Sequence, residues 1–191
     1  MIVRPIETQR LLLRAFSLED ALQFYRNFAG DDDNLRYFSD LHYSFADTET
    51  LVRTWVEGDP EGQKLRWAIT LKSDTQVIGL IVLKQLDDAS QQWEISFGIG
   101  SAFWHCGYMT EALAAVIDTA VQEMHLERII SVCNPLNRGA AGVMEKCGMV
   151  FSGYVRETKR SEETDFCLYC FESALRIADT VVLRSLSPGD P

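Results

Sequence analysis

Residues 66 to 99 constrain this chain more than any other stretch. Three extended runs, RWAITLK, VIGLIVLKQL and QQWEISFGI, are separated only by SDTQ and DDAS. Short polar breaks between runs rich in β-branched and aromatic residues predict an antiparallel meander. The period then changes. Residues 108 to 125 put Ala112, Val116, Ile117, Ala120, Val121 and Met124 on one helical stripe, so a helix with one buried face follows the meander.

The flanks fit around this switch. Arg10 to Phe16 reads as a strand, and Ser17 followed by Leu18, Glu19 and Asp20 opens a helix toward Phe28, ended by the acidic GDDDN. Asp47 to Glu57 reads as a helix with Leu51, Val52, Trp55 and Val56 on one face. RIISVCN at 128 to 134 follows a helix, so it is free to run parallel to an earlier strand. Arg138 to Lys146 reads as a short helix stopped by Gly148 in a left-handed cap. MVFSGYV and DFCLYCF are further strands, and DTVVLRSL at 179 to 186 is either an eighth strand or a substitute for the last. The order predicts a mixed α+β fold on a central sheet. With no linker or repeat before SLSPGDP, residues 1–191 read as one domain, with 187–191 as a loose tail.

Charge narrows the partners. A net charge of -10 and a pI near 4.7 repel a phosphate backbone and attract cationic amines or basic peptide ends, so no nucleic acid is expected. No apolar run reaches the roughly 18 residues of a membrane span, and MIVRPIETQR lacks a secretory h-region, so no membrane association is expected. Five scattered cysteines fit reduced thiols, and a cytoplasmic location is expected. Cys167 and Cys170 form a CxxC without a second pair at partner spacing, so no metal site is expected. The Asp31 to Asp33 run reads as a solvated helix end.

The chemistry concentrates after the third run. There WEISFGI leads into FWHCGYMTEALAAV, a turn ending at Gly107 and then a helix. Outward N–H groups and the helix dipole make such a terminus an anion site, and glycine admits a pyrophosphate without a Cβ in the way.

The same stretch, EISFGIGSAFWHCGYMTEALAAVIDTA, followed by NPLNRGAAGVMEKCGMVFSG, resembles the GNAT superfamily of acetyl-CoA-dependent N-acetyltransferases. It is most similar to the branch that acetylates ribosomal-protein N-termini. Matching positions are Glu94-Ile95, Trp104, Gly107-Tyr108, Thr110-Glu111-Ala112, Pro135, Asn137, Glu145-Lys146 and Gly148, and TQRLLLRAFSLEDA is similar to that branch's opening.

The resemblance implies a three-layer α/β/α fold whose mostly antiparallel sheet is splayed into a V at the cofactor. It implies that acetyl-CoA lies in the V, with its pantetheine along Phe97, Gly98 and Ile99. Its pyrophosphate would rest on the backbone of His105, Cys106, Gly107, Tyr108, Met109 and Thr110, with Asn137 on the far side. Glu94 matches the carboxylate that serves as base. The aromatic loop RYFSDLHYSF, residues 36 to 45, lies in the segment that in the family borders the acceptor groove, which makes Tyr37, Phe38, His42 and Tyr43 candidate acceptor contacts. The implied activity is direct acetyl transfer to a primary amine, on a small molecule or a protein N-terminus, by a monomer or homodimer.

The chain departs from the pattern in four places. Ala140 replaces a serine that steadies the leaving thiolate, His105 and Cys106 replace the glycine and the basic or polar residue of the loop, and Met109 stands where glycine or alanine is usual. Ser96, Tyr108 and Tyr154 are hydroxyls that could substitute for the serine. These departures make a catalytically degenerate acyl-CoA-binding or sensing module the alternative.

Overall fold

In a computed structural model, residues 2–37, 44–58, 62–87, 92–159 and 162–173 are described. The predicted strand at 179–186, the tail, and the candidate contacts Phe38, His42 and Tyr43 lie outside them.

Among the described residues one sheet organises the fold. Its strands are β1 (Ile6–Glu7), β2 (Leu11–Arg14), β3 (Lys64–Leu71), β4 (Val77–Asp87), β5 (Gln92–Ile99), β6 (Arg128–Cys133), β7 (Val150–Lys159) and β8 (Glu162–Glu172). They lie in the order β1-β2-β3-β4-β5-β6-β8-β7. Every neighbouring pair is antiparallel except β5 and β6. The predicted meander is β3 to β5, and β6 is the predicted parallel strand, reached through α4 (Tyr108–Gln122).

Helices cover both faces. On one, Ala112, Leu113, Val116, Ile117 and Ala120 of α4 and Met144 of α5 (Arg138–Lys146) pack into the main core with Ile81, Leu83, Ile95 and Ile129. On the other, α1 (Asp20–Phe24), its π-helical continuation Tyr25–Ala29 and α3 (Phe45–Glu57) close a smaller core over Ala68 and Val77, with Leu80 packed against it. Burying both faces of a sheet whose strands carry near-continuous apolar runs is the physical reason for three layers.

Helix ends show where local signals were stronger than the stripes. α3 begins at Phe45, because Ser44 accepts from the Asp47 amide and donates back to its carboxylate, an S-x-x-D box that places the start two residues before Asp47. Val56 of the predicted apolar face is exposed, while Thr48 and Val52 are fully buried. Ser17 does not cap α1 with its hydroxyl. Instead the Asp20 carboxylate takes the Ser17 amide at 2.7 Å and the Arg14 guanidinium at 2.7 and 2.8 Å. Gly148, at φ +82°, ends α5 as predicted, with the Met149 amide on the Met144 carbonyl at 3.0 Å. A short helix α2 (Asp32–Leu35) follows the π turn, and Asp31 is built into the fold: it caps α2 and also takes the Ser101 amide at 2.6 Å.

Candidate active site

The sheet opens at β5. Strands β5 and β6 pair only at Trp93↔Ile129 and Glu94↔Ile130. One residue on, the ladder is replaced by a side chain, as Ser131 Oγ donates to the Ile95 carbonyl at 2.8 Å. Beyond that the two strands part, which is the predicted V.

The exposed edge can be assigned atom by atom. The Ile95 carbonyl faces β6 and the Gly100 amide faces β4, where it bonds the Ile78 carbonyl at 2.9 Å. Backbone polar groups alternate along a strand. Phe97 and Ile99 therefore turn theirs into the V, whereas Gly98, opposite Leu80, turns its toward β4. Of the three predicted pantetheine contacts, two have main-chain groups on the open edge. The Ile99 carbonyl is taken by Trp104 Nε1 at 2.9 Å, a bond that pins the following turn to the end of β5. Gly100 is obligatory here, because a Cβ on it would lie 1.7 Å from the Asn27 carbonyl of the π turn.

That turn delivers α4 with a bare start. Gly107 is the N-cap at φ +78°, with no side-chain cap. The N–H groups of residues 105 to 110 have no hydrogen-bond acceptor among the described residues. Buried or half-buried helix starts normally find partners for these groups. Leaving a run of them open, at the positive end of a fifteen-residue helix, suits an anion. His105 is also left-handed, at φ +61°, and exposed, so the loop contains two such residues where the sequence pattern suggested one. The Met109 side chain is buried in the main core, leaving the loop surface uncrowded.

Two N-terminal residues brace the loop. Arg10 donates through Nη1 to the Cys106 carbonyl at 2.9 Å and through Nε to Glu111 Oε2 at 2.7 Å, and its guanidinium stacks on Tyr108 at 4.5 Å. Glu111 Oε1 also takes the Arg10 amide at 2.8 Å and Thr8 Oγ at 2.6 Å. Burial alone would raise the Glu111 carboxyl, but the bonds from Thr8 and Arg10 outweigh it and hold it below its ordinary value. Both partners lie in TQRLLLRAF, a stretch matched only as an opening strand, because nothing periodic links it to a glutamate 101 residues away.

Across the V, Asn137 starts α5 by accepting the Ala140 amide on Oδ1 at 3.0 Å. Its Nδ2 has no partner among the described residues and remains a donor. Ala140 stands in the first turn with no hydroxyl to offer.

Glu94 is half-buried at the last residue paired to β6, directly opposite Lys84. Glu94 and Ser96 point to the face shared by Leu80, the face that α1 and α3 cover farther along. Tyr37, half-buried, lies two residues past α2, its amide on the Asn34 carbonyl at 2.9 Å. Of the other hydroxyls, Tyr108 holds Arg10, and Tyr154 lies on the outermost strand, 68 % exposed and packed on Phe151.

The cysteines are placed structurally. Cys133 sits opposite Cys167, and burial together with that neighbour pushes its thiol up to about 11. Cys167 and Cys170, three residues apart on a strand, face opposite sides of the sheet. Among the described residues no three His, Cys, Asp or Glu side chains gather as metal ligands, and no helix is long and apolar enough to cross a membrane.

The chain and its fold are similar to those of known proteins. The profile of the acetyltransferase (GNAT) domain matches residues 10–150. An uncharacterised N-acetyltransferase of Bacillus subtilis (strain 168), YnaD, is 27% identical over 152 residues, covering 80% of this chain and 86% of its own. The uncharacterised N-acetyltransferase p20 of Bacillus licheniformis is 24% identical over 170 residues, covering 88% and 95%. A GNAT-family acetyltransferase of Bacillus anthracis superposes with a TM-score of 0.78 at 26% identity, covering 88% of this chain and 98% of its own. RimL, a ribosomal L7/L12 alpha-N-protein acetyltransferase solved with coenzyme A, shares the fold at a TM-score of 0.76 and 15% identity over 88% of this chain and 98% of its own. With the family profile spanning the meander, the open edge, the bare helix start and α5, the chain belongs to the GNAT acetyltransferases, acyltransferases that use acetyl-CoA as co-substrate.

Proposed function

We propose that this protein transfers the acetyl group of acetyl-CoA directly to a primary amine. The observation that carries the reading is the pairing of two open backbone surfaces, the Phe97–Ile99 edge and the amides of residues 105–110, at the place where β5 and β6 part. An extended amide-bearing arm fits the first, as an added strand would, and a diphosphate fits the second. A Cβ at Gly107 would be strained at φ +78° and would stand 3.4 Å from Arg10 Nη2, beside that second surface. Asn137 Nδ2 is a donor from the opposite wall. Acetyl-CoA supplies the acetyl thioester; the protein supplies orientation and proton transfer.

Phe97 has its amide on the open edge, where it can hydrogen-bond a carbonyl oxygen and stabilise charge developing on it. Glu94, on the face beneath the α1–α3 layer, is the base that takes the proton of the incoming ammonium, through water. Ala140 offers the leaving thiolate no hydroxyl. A thiol with an ordinary value of about 8.5 leaves as thiolate without one.

The acceptor is a primary amine reached from the α1–α3 side. The chain's charge of -10 favours a basic one, such as a protein N-terminus among positive residues.

Thiol release from acetyl-CoA against a panel of amines and basic N-terminal peptides tests the reading. Amine-dependent release supports it. Coenzyme A binding without release from any acceptor points to the sensing module, and no binding removes the cofactor site. Glu94→Gln lowers turnover by about 100-fold, most strongly at low pH where the acceptor is protonated, and leaves acetyl-CoA affinity within about twofold. Unaltered turnover removes Glu94 from the mechanism.

A further inference from the structure

The cofactor loop has an unusual support. Residues 105 to 107 contain two left-handed residues, one of them a histidine, and their carbonyls and amides make few bonds within the loop. Each such non-glycine residue costs about 1 kcal/mol or more and persists only when its surroundings fix it. The fixing group is Arg10. Its main chain is tied to the sheet, where its carbonyl accepts the Lys72 amide at 2.9 Å, and its side chain crosses to the Cys106 carbonyl. Glu111 orients that guanidinium at Nε, Tyr108 carries its flat face, and Thr8 holds the second carboxylate oxygen. Nη2 stands 3.4 Å from where a Gly107 Cβ would be and has no hydrogen-bond partner among the described residues.

We propose that Arg10 is a positioning residue for the cofactor: through Glu111 and the Cys106 carbonyl it fixes the 105–107 loop in the shape that keeps the following amides open. The inference rests on the acetyl-CoA reading of that loop. It assigns a role to the N-terminal hairpin, which is otherwise only an edge of the sheet. A planar five-donor fork can serve Glu111 and a carbonyl at once, and a lysine cannot.

The test compares coenzyme A binding by calorimetry with amide exchange of the free protein, for wild type, Arg10→Met, Arg10→Lys, Glu111→Gln and Arg14→Met. Arg14→Met breaks the ion pair between the far end of β2 and Asp20, away from the loop, and reports general destabilisation. Arg10→Met should weaken coenzyme A about tenfold while kcat at saturating acetyl-CoA stays within about twofold, and Arg10→Lys should recover only part of the loss. Glu111→Gln should weaken binding by a smaller factor, and the Glu111 amide, bonded to the Gly107 carbonyl, should exchange faster in the Arg10 variants but not in Arg14→Met. Coenzyme A affinity within twofold of wild type in Arg10→Met overturns the proposal. So does a loss matched by Arg14→Met, or faster exchange spread over the whole sheet. If wild type itself does not bind coenzyme A, the acetyl-CoA reading falls, and with it this one.

Discussion

Two helices begin on opposite walls of the V, and they begin differently. α5 is closed at its start: Asn137 accepts the Ala140 amide on its side chain and the Ala141 amide on its carbonyl, and the Asn137 and Arg138 amides find the Asn134 and Leu136 carbonyls. α4 is open: Gly107 caps it with no side chain, and the amides of residues 105 to 110 point at no protein acceptor. The first helix satisfies all its starting amides but that of Gly139 locally, while the second is held from outside by Arg10 and Glu111. The two starts therefore offer an anion one run of open amides rather than two, because an amide already bonded has little left to give a phosphate.

The comparison can be broken most sharply at Gly107. Gly107→Val forces a β-branched side chain into a left-handed conformation, at a cost of about 2 kcal/mol, and should raise the KM for acetyl-CoA by about 30-fold. An unchanged KM would mean that the open start is not where the cofactor rests.

Asn137 offers a finer separation. Asn137→Ala should cost about 1 kcal/mol of stability through the lost cap, measured by denaturant unfolding. Asn137→Asp keeps an accepting oxygen for Ala140 and removes the Nδ2 donor, so stability should hold while the acetyl-CoA KM rises about threefold. Equal KM for wild type and Asn137→Asp would leave Asn137 as a cap alone.

The smallest effect is in pH. The Glu111 carboxyl is held below its ordinary value of 4.5, so its bonds stabilise the folded protein above that pH, and the contribution is lost as pH falls through the lower, folded value. Wild type should therefore be more stable than Glu111→Gln at pH 7, with the gap in unfolding midpoint closing in acid below about pH 4.5. A gap that persists unchanged into strong acid would mean the carboxylate charge contributes nothing.

The same contrast explains what was legible in the sequence. Elements defined by a repeating local pattern were readable: the β3–β5 meander, the apolar stripe of α4, and α5 with its bounds at Arg138 and Lys146 and its stop at Gly148. Gly107 was readable because a bare turn leaves a local mark; Asn137 came only with the family resemblance, and its capping role emerged from the structure. Boundaries set by side-chain bonds were less so, as the Ser44–Asp47 box and the Asp20 reach-back to Ser17 show. The brace was invisible. Thr8, Arg10 and Glu111 meet through the fold, across a sequence gap that no periodicity spans. Nor does any residue type announce that His105 is left-handed or that Trp104 ties off the Ile99 carbonyl.

The central claim is that the open amides of α4 and the open edge of β5 together hold the cofactor. Amide hydrogen exchange of wild type with and without coenzyme A tests it most directly. The account predicts new protection at Phe97, Ile99 and residues 107–110, with little change at the Ala140 and Ala141 amides. Protection at the start of α5 without protection at residues 107–110 would contradict it.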